Sequence, residues 1–266
     1  MSASLNVVLL QSPGALTGVA ERLSWLEAQL DGLAGCAPDL VILPELFQCG
    51  YNIGEALRDM AEPRHGAFAA SVARLARAHG TAIIHGYAER EGGVIYNSAL
   101  ATGRDGRMIG HHRKLVLPPG FEGDHFAPGD GCTLFDLGMF RVAMLICYDV
   151  EFPEALRHVA MAGADLVVVP TALGAQWGIV AGKLVPTRAF ENGVFVAYAN
   201  HCGQENGLEY YGGSCLVAPD GRDLVRAGAQ AGGVSATIDH AEVARAQARL
   251  PYHLDRARLP WVAPPG

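Results

Sequence analysis

PDLVILPE (Pro38–Glu45) and ADLVVVPT (Ala164–Thr171) are two versions of one pattern: an aspartate, four apolar residues, a proline and a polar residue. Apolar runs this short and unbroken suit strands covered on both faces, as in sheets with a layer above and below. A second pair repeats the relation, SALATGRDGR from Ser98 and SCLVAPDGR from Ser214, and both pairs are separated by about half of the 266-residue chain. The chain therefore reads as two similar halves.

Working outward, LNVVLLQ precedes a helical pattern near Ala20–Ala34, and a second helical pattern near Phe68–His79 leads to TAIIHGYAE. VIYNSALATG and RMIGHHRKL then form a hairpin-like pair about the turn Arg104-Asp105-Gly106. The second half replays the order with FRVAMLIC, a helix near Pro153–Gly163, ADLVVVP, a helix near Leu184–Asn192, VFVAYANH and YGGSCLVAPDGRDLV. The expected class is α/β: two stacked mixed sheets, each covered outside by helices. No Pro/Ser-rich linker divides the halves, so one domain over 1–266 is expected.

Half the residues are hydrophobic and the formal charge is -7, which supports a sizeable core and gives no basic footprint for nucleic acid or an anionic membrane surface. MSASLNVVLLQSPG lacks the basic start of a signal peptide, and no run approaches the roughly 20 apolar residues that span a bilayer. A cytoplasmic protein is expected. Six cysteines without CxxC spacing suit reduced thiols.

Three strand ends carry chemistry. DLVILPE delivers Glu45 at its carboxyl end, where α/β sheets place their ligands; Lys114 closes a strand pattern, with Glu122 in the loop beyond; Cys147 sits where an apolar strand gives way to a helix opening near Phe152-Pro153. Singly, Glu45 and Lys114 could be a structural ion pair and Cys147 core filler. Together they offer a thiol, an ammonium and a helix start to lower its pKa, and a carboxylate to shuttle its proton.

At these residues the chain resembles the nitrilase superfamily of carbon-nitrogen hydrolases. LPELFQCGYN, HRKLVLP and ICYDVEFPE carry the resemblance, with TRAFENGVFVAYANHCG and GGSCLVAPDGR downstream. It implies a four-layer α-β-β-α sandwich, a Glu45-Lys114-Cys147 triad, assembly into dimers or larger homo-oligomers, and a small-molecule amide substrate. The family's frequent second glutamate falls on Glu122, four residues before Phe126. Cys147 would attack an amide carbonyl, with Lys114 and the Tyr148 N–H meeting the oxyanion and Glu45 passing the proton to the departing ammonia.

True nitrilases of the superfamily follow the nucleophile with Trp-Glu, whereas this chain has Tyr148-Asp149, the amidase and carbamoylase pattern. Amino-acid carbamoylases place arginines where this chain has Val150 and Glu151, so a neutral or cationic carboxamide is the expected substrate. Tyr51, Tyr148 and Trp177 are candidates for lining the acyl pocket, beside Glu151. An inert scaffold would have no reason to keep all three triad residues. A metal site built on His111, His112, Asp124 and His125 suits poorly, because adjacent strand residues face opposite ways. Neither a Walker loop nor GxGxxG after a strand is present, so no cofactor is expected.

Overall fold

The structure, a computed structural model, describes residues 3–259. Its first sheet is built from β1 (Ser4–Pro13), β2 (Leu40–Ile42), β3 (Ala82–Glu91), β4 (Val94–Thr102) and β5 (Met108–Arg113). The second takes β6 (Thr133–Leu137), β7 (Phe140–Met144), β8 (Leu166–Pro170) and β9 (Phe195–Ala199). β10 (His201–Glu205) and β11 (Leu208–Tyr211) return to the first sheet, β12 (Cys215–Val217) and β13 (Asp223–Arg226) extend the second, and β14 (Gly232–Asp239) closes on β1. The orders are β11-β10-β1-β2-β3-β4-β5 and β13-β12-β9-β8-β7-β6, each with parallel strands at its heart and antiparallel strands outside.

Side-chain alternation explains the unbroken apolar runs. Leu40 and Ile42 of β2 face Leu166 and Val168 of β8 across a central layer shared by both sheets. Val41 and Leu43 turn outward onto the helices Gly18–Gly32 and Ala67–His79, while Val167 and Val169 meet Pro153–Met161 and Val185–Asn192. Both faces of each strand are buried, which gives the four layers α-β-β-α.

Some connections differ from the sequence reading. β3 is not separate from the β4–β5 hairpin: Gly92 (φ 56°) and Gly93 (φ 84°) turn it directly into β4. Asn206 (φ 46°) and Gly207 (φ 86°) make the same two-residue turn between β10 and β11, a hairpin the reading lacks. The helix expected from Leu184 begins earlier, as a π-helical segment Val180–Leu184.

β2, β5, β7 and β8 all end at one rim. Glu45, Lys114, Cys147 and Thr171 therefore converge there, at the carboxyl ends of their strands. Gly86 on β3 makes room for the first: a Cβ there would lie 2.6 Å from the Glu45 Cα and 2.4 Å from the Leu46 nitrogen.

Candidate active site

Glu45 follows β2 in a segment where Leu46 adopts φ 50°. Its backbone carbonyl accepts a 2.8 Å bond from His201 Nε2, and His201 Nδ1 meets the Ser12 hydroxyl at 2.7 Å. Because Nε2 faces a carbonyl it must carry the hydrogen, so Nδ1 accepts from Ser12. Burial lowers the His201 pKa to about 4 and keeps the ring neutral.

Lys114 lies one residue past β5, where its N–H makes a last ladder bond to the Asn97 carbonyl. Its Nζ donates to Glu45 Oε1 at 2.7 Å and to Glu122 Oε1 at 2.6 Å, and all three side chains are buried. Glu122 is on a short helix, Phe121–His125, rather than in an open loop. Asn97 Nδ2 bridges the two carboxylates, at 2.6 Å from Glu45 Oε1 and 3.1 Å from Glu122 Oε2. The Tyr51 hydroxyl donates to Glu122 Oε1 at 2.8 Å. One carboxylate oxygen, Glu45 Oε2, is buried with no hydrogen-bond partner among the described residues.

Cys147 opens a five-residue 3-10 turn, Cys147–Glu151, with φ 44°. A non-glycine residue in that region is strained, as expected of a side chain held out on an elbow. Thr171 donates to the Tyr198 hydroxyl at 3.0 Å, and its hydroxyl weakly lowers the Cys147 thiol pKa. The Tyr148 N–H lies in the first turn, where main-chain donors lack intrahelical partners. Arg188 secures the far end by donating to the carbonyls of Val150 (3.0 Å) and Glu151 (2.8 Å).

One expectation is corrected. The thiol pKa is raised, by burial first and by the Glu45 charge second, with Lys114 opposing. The α-helix starts only at Pro153, and the Lys114 ammonium already faces two carboxylates, so the pull of Lys114 on the thiolate does not offset the burial. Burial raises the Glu45 pKa to about 7, against the pull of Lys114. Lys114 loses hydration by burial, but Glu45 and Glu122 outweigh that loss and hold it protonated above the ordinary lysine range. The resting set is a neutral thiol beside a carboxyl group that titrates near neutrality.

The other candidates divide. Tyr51 joins the site through Glu122, and Tyr148 packs edge-on against Phe152 with centroids 5.0 Å apart. Glu151 is half-buried on the elbow; burial raises its pKa, with Lys114 and Arg188 opposing. Trp177 does not gather with them: the turn Ala175–Trp177 carries it outward, 58% exposed. His111 and His112 do face apart, one bonding Glu89 and the other Asp149. Asn97, Thr171 and His201 were not singled out from the sequence. The signal available for each was a polar residue within or ending an apolar strand.

A cysteine on a tight strand-to-helix elbow and a buried Glu–Lys pair, at the shared rim of two stacked sheets, point to the carbon-nitrogen hydrolases. Residues 8–248 match that family, Carbon-nitrogen hydrolase, and the chain belongs to it. It is similar to a hydrolase encoded in the pqqF 5' region of Pseudomonas protegens, at 38% identity over 95% of this chain and 89% of that one. An (R)-stereoselective amidase of a Pseudomonas species is 35% identical over 84% and 81% of the two chains. Among solved structures, a glutamate-to-glutamine mutant of the Nesterenkonia amidase superposes with a TM-score of 0.80 at 30% identity, covering 96% of this chain and all of that one. It shows acrylamide added to the active-site cysteine.

Proposed function

We propose that this hydrolase is an amidase, converting small neutral or cationic carboxamides to acids and ammonia through a thioester on Cys147. The observation that carries this reading is the uncommitted Glu45 Oε2, on a carboxyl group with a pKa near 7 and with Oε1 already held by Lys114 and Asn97. As Sγ attacks the amide carbon, the thiol proton passes to Oε2, so no free thiolate is required. The oxyanion meets the Lys114 ammonium and the Tyr148 N–H. Glu45 returns the proton to the amide nitrogen, the C–N bond breaks and ammonia leaves. A water then attacks the thioester while Glu45 takes its proton; the C–S bond breaks, Glu45 passes that proton to the departing Cys147 sulfur, and the acid is released with the thiol and carboxylate restored. A pKa matched to the working pH suits a group that is base and acid in turn. Glu122, Asn97 and Tyr51 hold Glu45 and Lys114 in place.

Three further observations support the reading. The related Nesterenkonia amidase takes an amide-derived adduct on its cysteine. Tyr148-Asp149 follows the nucleophile where nitrilases carry Trp-Glu. A half-buried carboxylate at Glu151 disfavours anionic substrates. We also read the chain as a homodimer or larger assembly, consistent with exposed Met161, Phe190 and Leu254 on the helices of the second half and beyond; sedimentation at micromolar concentration tests that. The function is tested by ammonia release from a panel of amides, nitriles and carbamoyl compounds. Turnover confined to nitriles or carbamoyl compounds overturns the amidase reading.

A further inference from the structure

Lys114 and Cys147 belong to different sheets, one past the end of β5 and the other past the end of β7. No main-chain ladder fixes the distance between those ends. Where each ladder stops, backbone N–H groups are left to find other partners. Lys114 N still bonds the Asn97 carbonyl and Leu145 N the Val168 carbonyl, but Leu115, Val116 and Ile146 lie beyond.

One side chain takes all three. Asp149, fully buried, accepts from Leu115 N and Val116 N at Oδ1, both at 3.0 Å, and from Ile146 N at Oδ2, at 3.0 Å. His112 Nε2 completes the set at 3.3 Å from Oδ2. Each oxygen thus receives two donors. Two come from the segment just after Lys114, one from the residue just before Cys147, and the fourth from β5 itself.

We propose that Asp149 is a positioning residue that straps the two sheets together at the rim, setting the nucleophile's sulfur against the Lys114 ammonium and the Glu45 carboxyl. This rests on the roles proposed above for those three residues. Asp149 lies two residues from Cys147 on the same tight turn, so a shift of its carboxylate moves the elbow. Four donors on one rigid, dry carboxylate define a single docking of the β5 end on the β7 end. A displacement of about 1 Å between reacting groups can lower turnover by about 100-fold while substrate binding survives.

The test is Asp149→Asn, which keeps the shape but turns an amide NH2 toward one pair of N–H donors. With propionamide as substrate, kcat should fall about 100-fold and KM stay within about 3-fold, at full active-site occupancy in the folded protein. If that variant does not fold, His112 carries the test: His112→Leu deletes one donor and should lower kcat about 5-fold, whereas His112→Gln, which keeps a donor, should restore it. A lowered melting temperature with unchanged kcat per folded site, or equal kcat for His112→Leu and His112→Gln, overturns the positioning role. Acyl trapping in wild type separates the two readings: quenching with a slowly turned-over amide and finding no acyl group on Cys147 would fault the proposed nucleophile, whereas a normal Cys147 adduct with undiminished Asp149→Asn turnover faults the strap alone.

Discussion

Replacing Asn97 by leucine removes a side-chain amide that donates to both Glu45 and Glu122. The Nδ2 bond to Glu45 Oε1 is 2.6 Å long and fully buried, and it stabilises the charged form of Glu45 alone. Its loss must therefore raise the Glu45 pKa. A hydrogen bond to a charged group is worth about 1.5–3 kcal/mol and one pKa unit about 1.4, so the pKa should move up by about 1–2 units, from about 7 to about 8–9. At pH 7 the reactive carboxylate fraction falls from about a half to about 1–10%, lowering kcat/KM by about 5–50-fold. Raising the pH should restore it. Cys147 and Lys114 are both pushed above their ordinary ranges, so no falling limb should intervene below about pH 9. The assay is the pH profile of ammonia release under kcat/KM conditions, for Asn97→Leu and wild type. A midpoint that stays at the wild-type value, with activity reduced by one factor at every pH, would refute the role assigned to Asn97 and to Glu45 as the titrating base.

Lys114→Met should lower kcat by about 100–1,000-fold through loss of the oxyanion partner. It should also cost about 3–5 kcal/mol of stability, because Glu45 and Glu122 lose their buried counter-ion; near wild-type kcat in a folded variant contradicts this. His85 is buried, neither ring nitrogen has a hydrogen-bond partner among the described residues, and burial lowers its pKa to about 3 against about 6.5 unfolded. Its contribution is complete above pH 6.5 and is lost as pH falls toward 3, so between pH 7 and 5 wild type should lose about 2 kcal/mol more stability than His85→Leu in urea titrations; equal losses exclude it. Glu151→Arg should shift the kcat/KM ratio at least tenfold toward the ω-amide of a dicarboxylic acid over a cationic amide. An unchanged ratio, or a wild type that already prefers the acidic amide, removes Glu151 from substrate selection.

The four layers were legible because the core strands are apolar on both faces and their order with the helices is replayed in two similar halves, one for each sheet. The placement of Glu45, Lys114 and Cys147 at strand ends was legible because each closes a strand pattern, a local property. Their partners were not, since Asn97, Asp149 and His201 act through contacts between strands whose register one sequence does not state. The thiol's raised pKa was missed for the same reason: it depends first on burial and then on the Glu45 charge brought beside the sulfur from the other sheet.

The covalent intermediate is the most direct test of the account. Rapid quenching with a slowly turned-over amide, followed by peptide mass analysis, should find the acyl group on the Cys147 peptide, and Cys147→Ala should form none and be inactive. Cys49 is the nearest rival in sequence to Glu45, but it is buried, whereas Cys147 is half-buried, and its Sγ donates to the Gly50 carbonyl at 3.2 Å. An acyl group on Cys49, or full activity in Cys147→Ala, would contradict the account.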